Sequence, residues 1–235
     1  MPVIKGITNF LWGLQMKVVI LAGGRGTRLD HDRPKPMVEI GGIPMLSHIM
    51  GIYRKYGHNE FIIATGYKGE IIRDYYKNDS NVFCLDTGVD TGTGARVREC
   101  ALRMGDDSFL LTYGDGVADV DINKTISAHK TSVTVTAVHP PARFGQLVLS
   151  KRNKVLQFNE KPVGQHEWIN GGFFVVETEF AATNEFPSWE QETLPTFAEL
   201  GWVDAYRHEG FWQCMDTQRD VDYLNQLWKD GAPWL

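Results

Sequence analysis

Short apolar runs alternate with amphipathic segments along the first half of the chain. Val18–Leu21 is a continuous apolar run, which is typical of a parallel strand covered on both faces. Residues 45–56 place apolar side chains at helical spacing, and Gly57 follows as a common helix stop. The same alternation predicts strands in FIIATG, VFCLD, FLLTYGD and VTVTAV, and helices over 68–77, 94–104 and 121–130. It therefore predicts an α/β fold with a mixed, mainly parallel Rossmann-like sheet and helices on both faces.

The second half of the chain has a different pattern. QLVLSKRNKVLQFNEK predicts two strands around a polar turn, and WINGGFFVVE predicts one more strand. Ser188 with Gln191, and Thr217 with Asp220, have the spacing of helix capping boxes, although Pro195 would kink or split the first helix. These elements predict a small C-terminal β/α portion beside the nucleotide-binding type of sheet.

Composition and charge narrow the class of protein. The 235 residues are 43% hydrophobic and 23% charged, which fits one sizeable globular domain or at most two small ones. The net charge of −5 argues against nucleic acid or an anionic membrane as a partner of the whole surface. No apolar run approaches the roughly 20 residues that span a bilayer. Residues 1–15 lack the features of a signal peptide, so we treat them as an N-terminal extension and 16–235 as a single domain.

The chain contains three cysteines, Cys84, Cys100 and Cys214. Their spacing matches neither a metal knuckle nor a redox pair. We expect three buried thiols in a reducing compartment, and hence a cytoplasmic protein.

A glycine-rich turn with several cations follows the first strand. Gly23, Gly24 and Gly26 leave backbone N–H groups unshielded, so the loop could close on phosphate oxygens. Leu29 stands where a dinucleotide fingerprint needs a small residue, and the Gly-Lys-Ser/Thr of a P-loop is absent. The alternative is a tight turn with solvated cations. In PKP, however, two prolines stiffen the backbone around Lys35, which favours a positioned side chain.

LAGGRGTRL, followed by PKPM, resembles the signature of the sugar-1-phosphate nucleotidylyltransferases. Further matches are GYKG, DTG, TGAR, TYGDGVAD, PPARFG, EKP, INGGFFV, WEQE and GFWQCMDTQRD, which together extend over nearly all of residues 16–228. The combination is specific, whereas each piece alone would be weak. Within the family, the chain is most similar to the branch that transfers a cytidylyl group from CTP to a hexose 1-phosphate. The resemblance implies a Mg²⁺-dependent enzyme that releases pyrophosphate, with α-D-glucose 1-phosphate as the expected acceptor.

The resemblance also implies a role for particular residues. The expected nucleotide contacts are Leu21, Ala22, Gly23, Gly24, Arg25, Gly26, Thr27, Arg28, Lys35, Thr91, Arg96 and Gly114. The expected sugar-phosphate contacts are Gly145, Glu160, Lys161, Asn170 and Gly171. Asp115 and Asp216 would bind the metal, and Arg28, Lys35, Asp115, Lys161 and Asp216 would form the catalytic set.

The residues themselves are compatible with this chemistry. A phosphate nucleophile is already ionised, so no general base is required, and none of the seven histidines is paired with a nucleophile in any recognisable motif. The reaction does need in-line placement and charge neutralisation. Asp115 follows a buried strand between two glycines, which allows phosphates to approach, although Asp-Gly is also a common hairpin turn. Asp216 alone is more simply interpreted as a helix cap.

Several alternatives and departures remain open at this stage. The same chemistry could use another nucleoside triphosphate or another phosphorylated acceptor, and a non-catalytic sensor of nucleotide sugars is a third reading. We expect Arg96 to select cytosine, because a guanidinium facing O2 and N3 would meet two acceptors. The aromatic pair Phe211 and Trp212 could pack in the core or form a wall for the sugar or base. The segment 76–85 is much shorter than the corresponding segment of the family, which is associated with subunit contacts. We therefore expect a smaller homo-oligomer than the family's, or a monomer.

Overall fold

The computed structural model describes residues 15–26, 29, 32–141, 146–159 and 167–235. The strands are β1 (Val18–Leu21), β2 (Glu39–Ile40), β3 (Ile43–Pro44), β4 (Phe61–Thr65), β5 (Val82–Asp86), β6 (Ser108–Tyr113), β7 (Gly116–Ala118), β8 (Val133–Val138), β9 (Gln146–Leu149), β10 (Val155–Asn159), β11 (Ile169–Glu177), β12 (Val203–Arg207) and β13 (Trp212–Cys214). The helices are α1 (Met45–Arg54), α2 (Gly69–Tyr76), α3 (Thr93–Ala101), α4 (Ile122–Ser127), α5 (Thr178–Thr183), α6 (Leu194–Glu199) and α7 (Gln218–Lys229). A 3₁₀ turn covers Lys35–Met37, and a π-helical turn covers Trp189–Thr193.

Seven strands form the central sheet in the order β12-β8-β11-β6-β1-β4-β5. Strand β11 runs antiparallel to both neighbours, and the other four pairings are parallel. The mixed, mainly parallel sheet predicted from the alternating pattern is therefore confirmed. Three further two-stranded sheets, β9-β10, β7-β13 and β2-β3, lie outside the central sheet in the described part of the chain.

The burial of strand β1 explains why its sequence is apolar throughout. Val18 and Ile20 belong to one hydrophobic core cluster, whereas Val19 and Leu21 belong to another. Successive strand residues face opposite sides of a sheet, so both faces of β1 are covered. Burial on both sides explains the continuous apolar run.

The helix boundaries follow local capping chemistry. At the start of α7, Thr217 and Asp220 form the predicted capping box, with both reciprocal bonds present. Ser188 also caps as predicted, by accepting from the backbone N of Gln191 at 3.0 Å. The return bond is different, since the backbone N of Ser188 donates to Glu192 Oε2 at 3.0 Å instead of to Gln191. The expected split near the proline is confirmed, because a π-helical turn precedes α6.

The connection from α2 to β5 is a tight turn over residues 77–81. The backbone N of Asp79 donates to the Tyr76 carbonyl at 2.9 Å, and the backbone N of Asn81 donates to Asp79 Oδ1 at 3.1 Å. These local bonds satisfy the turn without additional chain. The short form of this region is thus built into the fold, whereas its effect on assembly stays a prediction.

The cysteines and helices test two broader expectations. None of the three cysteines forms a disulfide within the described residues, but only Cys100 is fully buried, so the expectation of three buried thiols is wrong for Cys84 and Cys214. Cys84 lies on β5, which is the edge strand of the central sheet among the described residues, and this position explains its partial exposure. Burial raises the pKa of Cys100 to about 12, so this thiol stays protonated. Within the described residues, no helix has both the length and the apolar character needed to cross a bilayer.

Candidate active site

A cavity of about 590 Å³ opens where the parallel strands β1 and β6 end. It is lined by Leu21, Ala22, Gly23, Gly24, Arg25, Gly26, Lys35, Pro36, Val89, Asp90, Thr91, Gly92, Thr93, Arg96, Tyr113, Gly114, Asp115 and Glu190. In open α/β sheets, ligands bind at the carboxyl ends of the strands. The cavity therefore gathers the described residues that were predicted to contact the nucleotide.

The glycines of the turn after β1 allow close backbone packing. A Cβ added to Gly23 would lie 2.1 Å from Nη1 of Arg96. Gly26 has a φ of +58°, and a Cβ there would lie 2.9 Å from the Cβ of Lys35. Glycine avoids both the clash and the strained backbone conformation. The loop can consequently pass between two cationic side chains and still form one wall of the cavity.

Arg96 holds three loops of this wall together. Its Nη1 donates to the Thr65 carbonyl at 3.0 Å and to the Thr87 hydroxyl, while its Nη2 donates to the Gly23 and Val89 carbonyls, each at 3.2 Å. The side chain is only 3% exposed, and burial lowers its pKa below the ordinary arginine value. Its terminal donors are bound to protein oxygens, so we interpret Arg96 as a residue that positions the loops. Direct selection of cytosine by Arg96 stays a prediction that this arrangement does not favour.

Lys35 lies between two carboxylates. Its Nζ is 2.6 Å from Asp115 Oδ2 and 2.6 Å from Asp216 Oδ1. The 3₁₀ turn buries the adjacent Pro36 and Met37, so the braced lysine predicted from PKP is confirmed. Burial acts to lower the pKa of the Lys35 ammonium, but the two carboxylates outweigh it and the net pKa is raised. Lys35 is therefore a fixed cation in the lining of the cavity.

Strand pairing and a helix cap bring the two aspartates together. Strand β7 pairs with β13, and the backbone N of Met215 donates to the Asp115 carbonyl at 2.8 Å. Asp220 Oδ2 accepts from the backbone N of Asp216 at 3.0 Å and from that of Thr217 at 2.8 Å. The interpretation of Asp216 as the helix cap is wrong, because Thr217 caps α7. The Asp216 side chain instead reaches Lys35.

Of the predicted sugar-phosphate residues, Asn170 and Gly171 belong to the described part of the chain, and neither lines the cavity. Nδ2 of Asn170 donates to the Tyr113 hydroxyl at 3.1 Å, and Oδ1 of Asn170 accepts from the backbone N of Gly172 at 2.8 Å. Nε1 of Trp212 donates to the Gly171 carbonyl at 2.7 Å, so this tryptophan stabilises the position of the first residues of β11. Phe211 packs against the main core, as its default interpretation predicted. Asn170 and Gly171 thus sit one residue layer beyond the cavity.

Several predicted residues cannot be placed. Thr27, Arg28, Gly145, Glu160 and Lys161 lie outside the described residues, as do residues 1–14 of the N-terminal extension. Their assignments stay predictions from the family resemblance.

The structure also adds side chains that the sequence analysis did not single out. Tyr113, Thr93 and Glu190 line the cavity beside the predicted residues. Burial, with the nearby Glu190 carboxylate, raises the pKa of Tyr113, so its hydroxyl stays a hydrogen-bond donor. The motifs TYGDG, TGAR and WEQE contained these three residues, but only the tertiary fold brings them to one wall of the cavity.

The donor set fits one kind of metal ion. In the described part of the chain, no group of three or more His, Cys, Asp or Glu side chains is arranged to enclose a metal. Mg²⁺ commonly binds through one or two carboxylates and completes its shell with water and substrate phosphates. Asp115 and Asp216 match that requirement, since both direct an oxygen at the same point, now held by the Lys35 ammonium.

A mainly parallel sheet with a glycine-rich loop, a fixed lysine and paired carboxylates at its carboxyl edge defines a nucleotide-binding α/β protein that handles phosphate groups. The sequence matches the Nucleotidyl transferase family over residues 17–215. The chain belongs to that family and is a nucleotidyltransferase.

Named relatives lie on several branches of the family. A protein from Salmonella typhimurium named glucose-1-phosphate cytidylyltransferase is 45% identical, over 93% of this chain and 98% of that protein. A D-glycero-alpha-D-manno-heptose 1-phosphate guanylyltransferase from Campylobacter jejuni is 28% identical, over 78% of this chain and 85% of that protein. The crystal structure of HddC from Yersinia pseudotuberculosis, complexed with GMP-PN, has a TM-score of 0.74 and 25% identity, covering 91% of this chain and all of that one.

Proposed function

We propose that this protein transfers a cytidylyl group from CTP to α-D-glucose 1-phosphate, with Mg²⁺, to give CDP-glucose and pyrophosphate. The observation that carries the proposal is the convergence of Asp115 and Asp216 on Lys35, beside the cavity that Lys35 and Asp115 line. Lys35 is 80 residues from Asp115 and 181 residues from Asp216 in the chain, yet all three meet within hydrogen-bond distance. A sensor that only bound nucleotide sugars would have no need for this arrangement.

The chemistry follows from the charges on the wall. An oxygen of the sugar phosphate attacks the α-phosphorus of CTP, a new P–O bond forms, and the bond to the β-phosphate oxygen breaks. The nucleophile is already an anion, so no residue has to remove a proton. Lys35 and the glycine-rich loop hold the triphosphate and offset its charge, which keeps the reacting groups in line. When bound to Asp115 and Asp216, Mg²⁺ supplies charge stabilisation at the α-phosphate.

The choice of CTP and glucose rests on relatives rather than on a base contact. The relative that is 45% identical over almost its whole length is named for these two substrates. More distant relatives are named for guanylyl transfer, so a change of base within the same fold has precedent. The alternative proposal is therefore the same reaction with another nucleoside triphosphate or another sugar 1-phosphate. A cytoplasmic location likewise stays a prediction.

A pyrophosphate-release screen tests the proposal. CTP, UTP, GTP and ATP are each combined with glucose, galactose, mannose and N-acetylglucosamine 1-phosphates, with Mg²⁺ and with a chelator as control. We expect the highest kcat/KM for CTP with glucose 1-phosphate and no turnover with the chelator. A different best pair would support the alternative, and absence of pyrophosphate with every pair would support a sensor.

A further inference from the structure

Glu190 is a carboxylate on the cavity wall that the proposed chemistry does not use. It lies in the π-helical turn Trp189–Thr193, and its side chain is exposed to the cavity. The preceding residue, Trp189, is fully buried and packs edge-on against Phe174 and Phe180. The turn is thus anchored on one side by the core and presents Glu190 on the other.

Two hydroxyl groups fix the orientation of this carboxylate. The Thr93 hydroxyl accepts from the backbone N of Trp189 at 2.9 Å and donates to Glu190 Oε2 at 2.5 Å. The Tyr113 hydroxyl accepts from Asn170 and also hydrogen-bonds to Glu190. A chain of hydrogen bonds therefore runs from Thr93, beside the predicted nucleotide contacts, to Asn170, beside the predicted sugar-phosphate contacts.

Glu190 has acceptor capacity left for a ligand. An ionised carboxylate offers about four lone-pair sites, and the two hydroxyls occupy two of them. Glu190 forms no salt bridge with any described residue, in contrast to Asp90 and Asp115 on the same wall. A carboxylate repels phosphate oxygens, so the ligand group that it meets must be a hydrogen-bond donor. The donors that both substrates carry in abundance are sugar hydroxyls.

We propose that Glu190 is a specificity-determining residue that accepts a hydrogen bond from a sugar hydroxyl, either of the ribose of the nucleotide or of the hexose of the acceptor. Glu190 belongs to the series of hydrogen bonds that links Thr93 to Asn170. It therefore lies between the predicted nucleotide contacts and the predicted sugar-phosphate contacts. The inference rests on the proposed reaction, because it assumes that both substrates enter this cavity. A site built to bind a hydroxyl rejects the analogue that lacks it, since the protein group then goes unpaired.

The test compares Glu190→Gln with the wild-type protein. Selectivity is measured as ratios of kcat/KM for CTP over 2′-deoxy-CTP and 3′-deoxy-CTP, and for glucose 1-phosphate over its 2-deoxy and 3-deoxy analogues. We expect one of these ratios to fall at least about tenfold in the variant, while the others change by less than about threefold. The ratio that falls identifies the ribose or the hexose as the source of the hydroxyl. Glu192→Gln, in the same turn, is the matched control and should leave every ratio unchanged.

Equal losses for all substrates, with every ratio preserved, would show that Glu190 only supports Tyr113 and Thr93 and would overturn the inference. A fall in the ratio of CTP to UTP alone would do the same, because it would assign Glu190 to the base. Calorimetric titration of CTP and its deoxy analogues provides a readout that does not need turnover. Turnover with unaltered ratios contradicts only this inference, whereas failure of every substrate pair contradicts the proposed function. If Glu190→Gln does not fold, the same ratios of kcat/KM are measured with Glu190→Asp, which keeps the charge, and the same outcomes decide.

Discussion

Replacing Arg96 by lysine separates its role in holding the loops from any role in reading the base. Lysine keeps the positive charge but loses the planar fork of donors. An ammonium in the same place could reach one or two of the oxygens that Arg96 now binds on Thr65, Thr87, Gly23 and Val89. At least two of these hydrogen bonds would then be lost in a site where the side chain is 3% exposed, although the Gly23 and Thr65 carbonyls keep the backbone donors of Tyr67 and Thr87.

The magnitude follows from those lost bonds. Losing a hydrogen bond from a charged donor costs about 1.5–3 kcal/mol, and water entering from the adjacent cavity recovers part of it. For two such bonds, we expect the free energy of unfolding to fall by about 2–4 kcal/mol. In a chain of this length each kcal/mol corresponds to roughly 2–4 °C, so the Tm should drop by roughly 4–16 °C.

The assay combines thermal unfolding without ligand and kcat/KM for CTP and UTP. Arg98→Lys is the matched control, since Arg98 lies on the same helix and is exposed, and it should leave the Tm unchanged. We expect Arg96→Lys to lower kcat/KM for both nucleotides and to leave their ratio within about threefold. A tenfold fall in the ratio, about 1.4 kcal/mol of discrimination, with an unchanged Tm would refute the positioning role and restore Arg96 as the residue that selects cytosine.

Two further predictions concern the site, and a third concerns assembly. Asp115→Asn should still bind nucleotide but lose roughly 10²–10³-fold in kcat, because one charged metal contact is removed, and near-normal turnover at saturating Mg²⁺ would exclude the metal role. Lys35→Ala should raise the KM for CTP, and Lys161→Ala should raise the KM for the sugar phosphate, which separate titrations of the two substrates would measure. A higher KM for the same substrate in both variants would contradict this assignment. The short connection over 77–81 should give a monomer or dimer in light scattering, and a stable hexamer at low protein concentration would argue against it.

The fold could be predicted because each strand and each helix shows its own hydrophobic pattern within a short stretch of sequence. Val18–Leu21 is apolar at every position, as a strand buried on both faces must be, and the helices between strands show their own spacing. The least accurate boundaries are those at helix ends. The helix predicted over 45–56 ends at Arg54, because the chain already turns towards Gly57, which has a φ of +85°. Such endings depend on the last turn and not on the periodicity.

The site could be predicted only in part. The position of Lys35 followed from its flanking prolines, and that of Asp115 from the strand before it. Asp216 was assigned by resemblance. The spacing of Thr217 and Asp220 indicated that Thr217 caps the helix, but nothing local indicated that the Asp216 side chain reaches Lys35. The partners of Arg96 could not be foreseen either. They are three backbone carbonyls and one hydroxyl, at the end of β4 and in the connections that follow β1 and β5. A sequence does not reveal which acceptors a fold brings around one side chain.

The paired carboxylates explain why this edge of the sheet must hold a cation. Asp115 is fixed by the pairing of β7 with β13, and Asp216 by the cap of α7, so neither can move far from the other. Each directs an oxygen to within 2.6 Å of the Lys35 nitrogen, so these oxygens are no more than about 5 Å apart. At an effective dielectric constant of about 20, two negative charges at that distance repel by about 3 kcal/mol. The ammonium of Lys35 removes this repulsion. Lys35 therefore has a structural role beside its proposed contact with phosphate, and the loss of activity in Lys35→Ala has to be corrected for the stability that the same substitution removes.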